Sequence, residues 1–147
     1  MGDSTTIFTS PDGVLWTDRS FITNYNLPDN EPRLVFIYED GRWVERLYRD
    51  NNYLSSVAYG KNQCVVVGRN GMIFSSPDGT RWTKGSYVTA NSLESIAYGN
   101  NQFIAVGRDG VIVTSPNGIT WTQQSSGTVY ELYGITYGNN QFVVVER

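Results

Sequence analysis

A unit of 39 residues repeats through most of the chain. Residues 54–92 and 93–131 are identical at 19 of 39 positions, and Trp82 and Trp121 occupy the same place in each. A third copy starts at Leu132 and stops at Arg147, just after its second strand-like run. Its second half lies at the other end of the chain, in Ser4–Trp16. Arg147 aligns with Arg69 and Arg108, and Ser4 aligns with Asn70, the next position of the repeat. Self-similarity at such a period marks architectures in which each unit buries its apolar face against the next. A unit divided between the termini predicts a closed ring, because pairing the two ends removes exposed strand edges.

Each unit reads as four short strands. The first is Leu54–Tyr59, repeated as Leu93–Tyr98 and Leu132–Tyr137. The second is Cys64–Val67, repeated as Phe103–Val106 and Phe142–Val145. These are nearly continuous apolar runs of strand length, which suits burial on both faces. Gly-Lys-Asn-Gln or Gly-Asn-Asn-Gln joins them, and Gly and Asn suit tight hairpins because they tolerate positive φ. Arg69-Asn70-Gly71 and Arg108-Asp109-Gly110 then turn into a third strand, Met72–Ser75, Val111–Thr114 or Thr6–Thr9. Asn-Gly and Asp-Gly are strong hairpin signals. Ser-Pro-Asp/Asn-Gly-x-x-Trp-Thr follows in all three copies, with Trp and Thr opening strand four.

Four antiparallel strands in ~39 residues, repeated, predict an all-β chain built as a β-propeller, with one blade split between the termini. The carrying residues of the turn motif are Ser10, Asp12, Gly13 and Trp16, then Ser76, Asp78, Gly79 and Trp82, then Ser115, Asn117, Gly118 and Trp121. On these the chain resembles the bacterial Asp-box-like propeller repeats of sialidase-like and photosystem-assembly-factor-like proteins. Two departures mark the match. The Ser-to-Trp spacing is one residue shorter than in the usual Asp box, and Asn117 replaces the acid. The expected chemistry is structural: Ser and Asp accept backbone N–H groups across the turn, Gly supplies its φ and Trp plugs the apolar gap beneath. The resemblance implies Asp boxes that lie away from any active centre.

The ring is expected as a single domain over 1–147. Its parts are a blade from 132–147 with 4–20, a degenerate blade or inserted hairpin over 21–53, a blade over 54–92 and a blade over 93–131. Pro28-Asp29-Asn30-Glu31-Pro32 is incompatible with the first strand of the other units. Beyond it, 33–48 reads as a hairpin, and Trp43 stands 39 residues before Trp82, a phase that favours a degenerate blade. Three blades and part of a fourth are few for a ring. That favours a homo-oligomer, a C2 dimer foremost, with a monomeric four-bladed ring as the alternative. The aromatic residues of the hairpin, Phe36, Tyr38, Trp43 and Tyr48, are interface candidates.

Composition narrows function by exclusion. A net charge of −3 without a basic stripe argues against nucleic acid. No run approaches the ~20 apolar residues of a membrane span. The N-terminus carries no apolar signal core, and the compartment stays open. The sequence has no histidine, the commonest general base and metal ligand, and a single cysteine, so no intrachain disulfide. Cys64 aligns with Phe103 and Phe142 and is expected in a small apolar position. No phosphate loop, metal-ligand cluster or nucleophile–base pair is visible, so no cofactor or metal is expected.

Three functional readings stand beside one another. A sialidase-like hydrolase would need clustered arginines and carboxylates. Arg69, Arg108 and Arg147 recur at one turn position with Glu94 and Glu131 near, but they follow the repeat symmetry that active sites usually lack. A glycan- or protein-binding module would use the loops at one end, which carry Arg69, Asn70, Tyr87, Arg108, Asp109, Tyr130 and Arg147. A non-enzymatic, self-assembling scaffold would use the ring itself and the 21–53 hairpin.

Overall fold

The computed structural model describes residues 54–147 except residue 80, together with 13–14 and the backbone of 8–9, 17–18, 33–39 and 42–48. Its strands are β1 (Phe8–Thr9), β2 (Thr17–Asp18), β3 (Arg33–Glu39), β4 (Arg42–Tyr48), β5 (Leu54–Gly60), β6 (Gln63–Gly68), β7 (Ile73–Ser76), β8 (Thr83–Lys84), β9 (Leu93–Gly99), β10 (Gln102–Gly107), β11 (Ile112–Ser115), β12 (Thr122–Gln124), β13 (Leu132–Gly138) and β14 (Gln141–Glu146). The chain is all-β. The two complete repeats fold as antiparallel four-stranded sheets, β5–β8 and β9–β12, each strand pairing with its sequence neighbours. The third repeat contributes the β13–β14 hairpin.

Turn chemistry sets these ladders. Lys61-Asn62, Asn100-Asn101 and Asn139-Asn140 all have φ between 47° and 60°. That is the two-residue loop whose twist matches a hairpin. Asn70 (φ 56°) and Gly71 (φ 70°) form the next turn, closed by Met72 N–H donating to Arg69 O at 3.2 Å. Asp109 and Gly110 repeat it, closed by Val111 N–H to Arg108 O at 3.1 Å. Because Met72 and Val111 still serve the turn, the third strands start one residue later than expected, at Ile73 and Ile112. The fourth strands likewise start at Thr83 and Thr122, after the tryptophans. Trp121 N–H donates to Ser86 Oγ at 3.0 Å instead of joining a ladder.

The 33–48 segment is a hairpin, as expected, with Leu34 opposite Leu47 and Tyr38 opposite Trp43. Through one parallel contact, Tyr38 with Thr83, it extends the outer edge of the β5–β8 sheet to six strands. β1 and β2 form a two-stranded sheet of their own, and among the described residues no ladder joins β14 to β1.

The sheets stack face to face, with β9 between β5 and β13. Val65, Val67, Ile73, Leu93, Ile96, Phe103, Ala105, Val111, Val113 and Trp121 form one buried cluster between the β5–β8 and β9–β12 sheets. Each fully buried Val, Leu or Phe contributes about 1.5–3 kcal/mol. The opposite face of the first sheet buries Val66, Met72, Phe74 and Trp82, with half-buried Cys64 against them. The small apolar place expected for Cys64 is therefore only partly closed, whereas Phe103 at the equivalent position is 0% exposed.

Candidate functional site

Two sets of repeated side chains carry the site argument: the turn motif at one end of the sheets, and the loops at the end where β9 and β13 begin.

In the turn motif, Ser76 and Ser115 are fully buried. Ser76 Oγ accepts from Gly79 N–H at 2.8 Å and Asp78 N–H at 3.3 Å, and donates to Asp78 Oδ1 at 3.1 Å. Asp78 Oδ1 in turn accepts from Arg81 N–H at 2.9 Å. Ser115 and Asn117 reproduce this arrangement: Ser115 Oγ accepts from Gly118 N–H at 2.7 Å, and Asn117 Oδ1 accepts from Ile119 and Thr120 N–H, each at 2.9 Å. The amide oxygen of Asn117 thus does what the carboxylate does, and the negative charge is not needed for the turn. Gly79 and Gly118 take φ of 75° and 77°, which other residues rarely adopt. Trp82 and Trp121 are buried beneath, and Trp121 Nε1–H donates to Gly118 O at 3.2 Å. Of the first copy, Gly13 has the same φ of 76°, while Ser10, Asp12 and Trp16 lie outside the described residues. The interface candidates Phe36, Tyr38, Trp43 and Tyr48 lie on β3 and β4, whose side chains are also outside the description.

At the loop end the candidate residues serve the joints between sheets. Arg108 Nε lies 3.2 Å from Glu94 Oε1 in its own sheet and 3.7 Å from Glu131 Oε1 at the entry to β13. Arg108 N–H donates to Ser92 O, and Asn70 N–H to Ser92 Oγ at 3.4 Å. Arg147 N–H donates to Glu131 O at 2.9 Å, and its guanidinium lies 5.2 Å from the Tyr133 ring centroid. Asn70 and Asp109 owe their identity first to the positive φ of the turn. Arg69 starts the equivalent turn in the first sheet. Among the described residues, Asp109, Gln123, Gln124, Ser126 and Thr128 line a shallow depression of about 280 Å³. Tyr87 and Tyr130 project from the two loops, 74% and 62% exposed, but do not line it. The structure therefore joins Arg108 to Glu94 and Glu131. Among the described residues no group of His, Cys, Asp and Glu is placed to hold a metal ion.

Two features of the stacking were not anticipated from the sequence. A Cβ on Gly60 would meet Tyr98 Cγ at 2.2 Å, and one on Gly99 would meet Tyr137 Cγ at 2.1 Å. Each tyrosine thus rests on the glycine of the preceding sheet, while the Phe103 or Phe142 ring lies tilted against it with centroids 4.7 Å apart. Ser56 Oγ accepts from Ile96 N–H at 3.2 Å, and Ser95 Oγ from Ile135 N–H at 3.3 Å. The signal was legible: Tyr-Gly closes the first strand of all three copies.

No protein-family model and no curated protein sequence matches the chain.

Proposed function

We propose that the chain is a non-enzymatic β-propeller scaffold of the Asp-box-like kind that completes its ring with a second copy of itself. One observation carries this reading. In β14, Val143, Val144 and Val145 are 47%, 36% and 45% exposed, whereas at the equivalent positions Val65, Val66 and Val67 of β6 are 0%, 4% and 0% exposed, and in β10 Ala105 and Val106 are 0% exposed with Ile104 half-buried. An apolar strand that is largely buried in two sheets and uncovered in the third supports an interface there. The uniform four-stranded units and the buried Ser–Gly turns support the blade assignment. The non-enzymatic part rests on Arg108, which spends its charge on Glu94 and Glu131 between sheets. Light scattering of the purified chain is expected to return twice the chain mass of 16.5 kDa or a higher multiple, and a single-chain mass at micromolar concentration overturns the reading.

A second reading, recognition of a glycan at the loop end, is favoured by the amide, hydroxyl and carboxylate lining of the depression beside Asp109. Binding on a glycan array that disappears in Asp109→Ala is expected from it. An array without signal removes it and leaves the scaffold reading intact.

A further inference from the structure

Two uncovered faces among the described residues match as halves of one contact. Between consecutive sheets, the forward face of one (Gly60, Val65, Val67) receives the rear face of the next (Ile96, Tyr98, Phe103). The last sheet presents an empty forward face: Val143 and Val145 are exposed, and a Cβ on Gly138 would meet nothing within 4 Å. The first sheet presents a rear face that is open at its inner strand, where Val57 and Tyr59 are 60% and 65% exposed. Val57 stands opposite Val66, and Val66 opposite Phe74, so these residues share that face. Its outer part is closed within the single chain, with Phe74 0% and Trp82 2% exposed. The uncovered area is thus the inner, β5 side of the face, where an inner two-stranded hairpin such as β13–β14 would lie.

The chain supplies three repeat units, and its β3–β4 hairpin adds to the edge of the first sheet instead of forming a separate one. Propellers typically close with four to eight blades. Three is too few, and two copies make six. Connectivity then decides which half-sheets combine. In the complete repeats the outer strand of one sheet leads directly to the inner strand of the next, as β8 leads to β9. The β3–β4 hairpin lies between β2 and β5 in the chain; with that hairpin counted as an addition to the edge of the first sheet, the sheet that holds β1 and β2 precedes their own β5. In a six-sheet ring, the sheet preceding β5 is the partner's β13–β14.

We propose that two copies of this chain close one six-sheet ring by exchanging their N-terminal strands. β1 and β2 of each copy complete the partner's β13–β14 sheet, and the Tyr59 ring of each rests on the partner's Gly138. This rests on the propeller reading above. The complete sheets set the register. Val65 pairs with Ser75 and Val66 with Phe74, so the exchanged sheet would set Val143 opposite Thr9 and Val144 opposite Phe8. They also set the docking contacts. Ser86 N–H donates to Ile119 O at 2.8 Å while its Oγ accepts from Trp121 N–H, and Gln63 Nε2–H donates to Asn117 O. By the repeat, Ser125 stands where Ser86 does, Gln102 where Gln63 does and Val14 where Ile119 does, so Ser125 N–H is the donor to Val14 O in the exchanged sheet. One bond is missing from the junction, because Gly134 replaces the Ser56 and Ser95 acceptors. The joint between copies is therefore weaker than those within a copy.

Paired cysteines test the exchange in the full chain carrying Cys64→Ala. One variant adds Phe8→Cys with Val144→Cys, and a second adds Thr9→Cys with Val143→Cys. Antiparallel ladders alternate wide and narrow pairs, so one of these neighbours suits a disulfide. After oxidation, a non-reducing gel and intact mass are expected to show chains covalently joined in pairs for at least one variant. Mixing the Phe8→Cys chain with the Val144→Cys chain is expected to give the same product, with circular dichroism confirming the fold of each. A particle of twice the chain mass with only intrachain disulfides, or with no disulfide in either variant, overturns the exchange and leaves the self-assembling ring standing. A particle of single-chain mass with intrachain disulfides overturns both.

Discussion

The ring of Tyr98 rests on the backbone of Gly60 so closely that a Cβ there would come within 2.2 Å of Tyr98 Cγ. Tyr137 repeats the contact on Gly99, with 2.1 Å to Cγ. Alanine at Gly60 or Gly99 must push an aromatic ring out of a packed joint. Each substitution is expected to cost about 1–3 kcal/mol, measured by urea denaturation. Gly138→Ala meets nothing within the chain. Its expected effect is on assembly: the particle should dissociate at higher concentration than the wild type in mass measurements over a dilution series.

The buried hydroxyl of Ser115 serves the Gly118 and Asn117 N–H groups. Ser115→Ala removes it and leaves buried donors without a partner, for an expected loss of about 1–3 kcal/mol. Asn117→Asp keeps the Oδ1 acceptor at the same place. It is expected to leave the denaturation midpoint within the equivalent of ~0.5 kcal/mol.

Arg108 links two carboxylates across a sheet joint, but its side chain is 52% exposed. Exposed ion pairs contribute little, so Arg108→Gln is expected to lower stability by no more than ~1 kcal/mol. The loss should shrink as salt rises to about 1 M, where screening acts within ~3 Å. A loss that salt does not change would show that Arg108 acts through packing instead.

Burial pushes the Cys64 thiol above its ordinary value, so less thiolate is present at a given pH. Alkylation at pH 8 is expected to run slower in the folded chain than in urea, since the thiolate is the reactive form. Equal rates in the two states would contradict the half-buried placement.

Much of the local structure could be read from residue types. Asn-Gly, Asp-Gly and Asn-Asn marked the hairpin loops because their positive φ is decided within two residues. The Ser-Pro-Asp-Gly turns were legible for the same reason: Ser76 bonds Gly79, three positions away. Strand starts were off by one at Met72 and Val111, where the turn claimed an N–H that the apolar pattern assigned to a strand. The loop-end site was less legible. In the sequence Arg108 reads first as a turn arginine and second as a ligand candidate, and only its distances to Glu94 and Glu131 place it at the joint.

By itself the sequence determined the unit: its strands, its turns and its repetition, all settled by φ preferences and side-chain bonds that reach a few residues. Tertiary structure decided how the units meet. That Tyr98 needs Gly60, that Ser56 holds the Ile96 N–H, that the β3–β4 hairpin joins an edge, and that Tyr59, Val143 and Val145 are left uncovered are facts about surfaces. Such surfaces are built by residues some forty positions apart, and their energy depends on contact area and fit, which only the assembled sheets define.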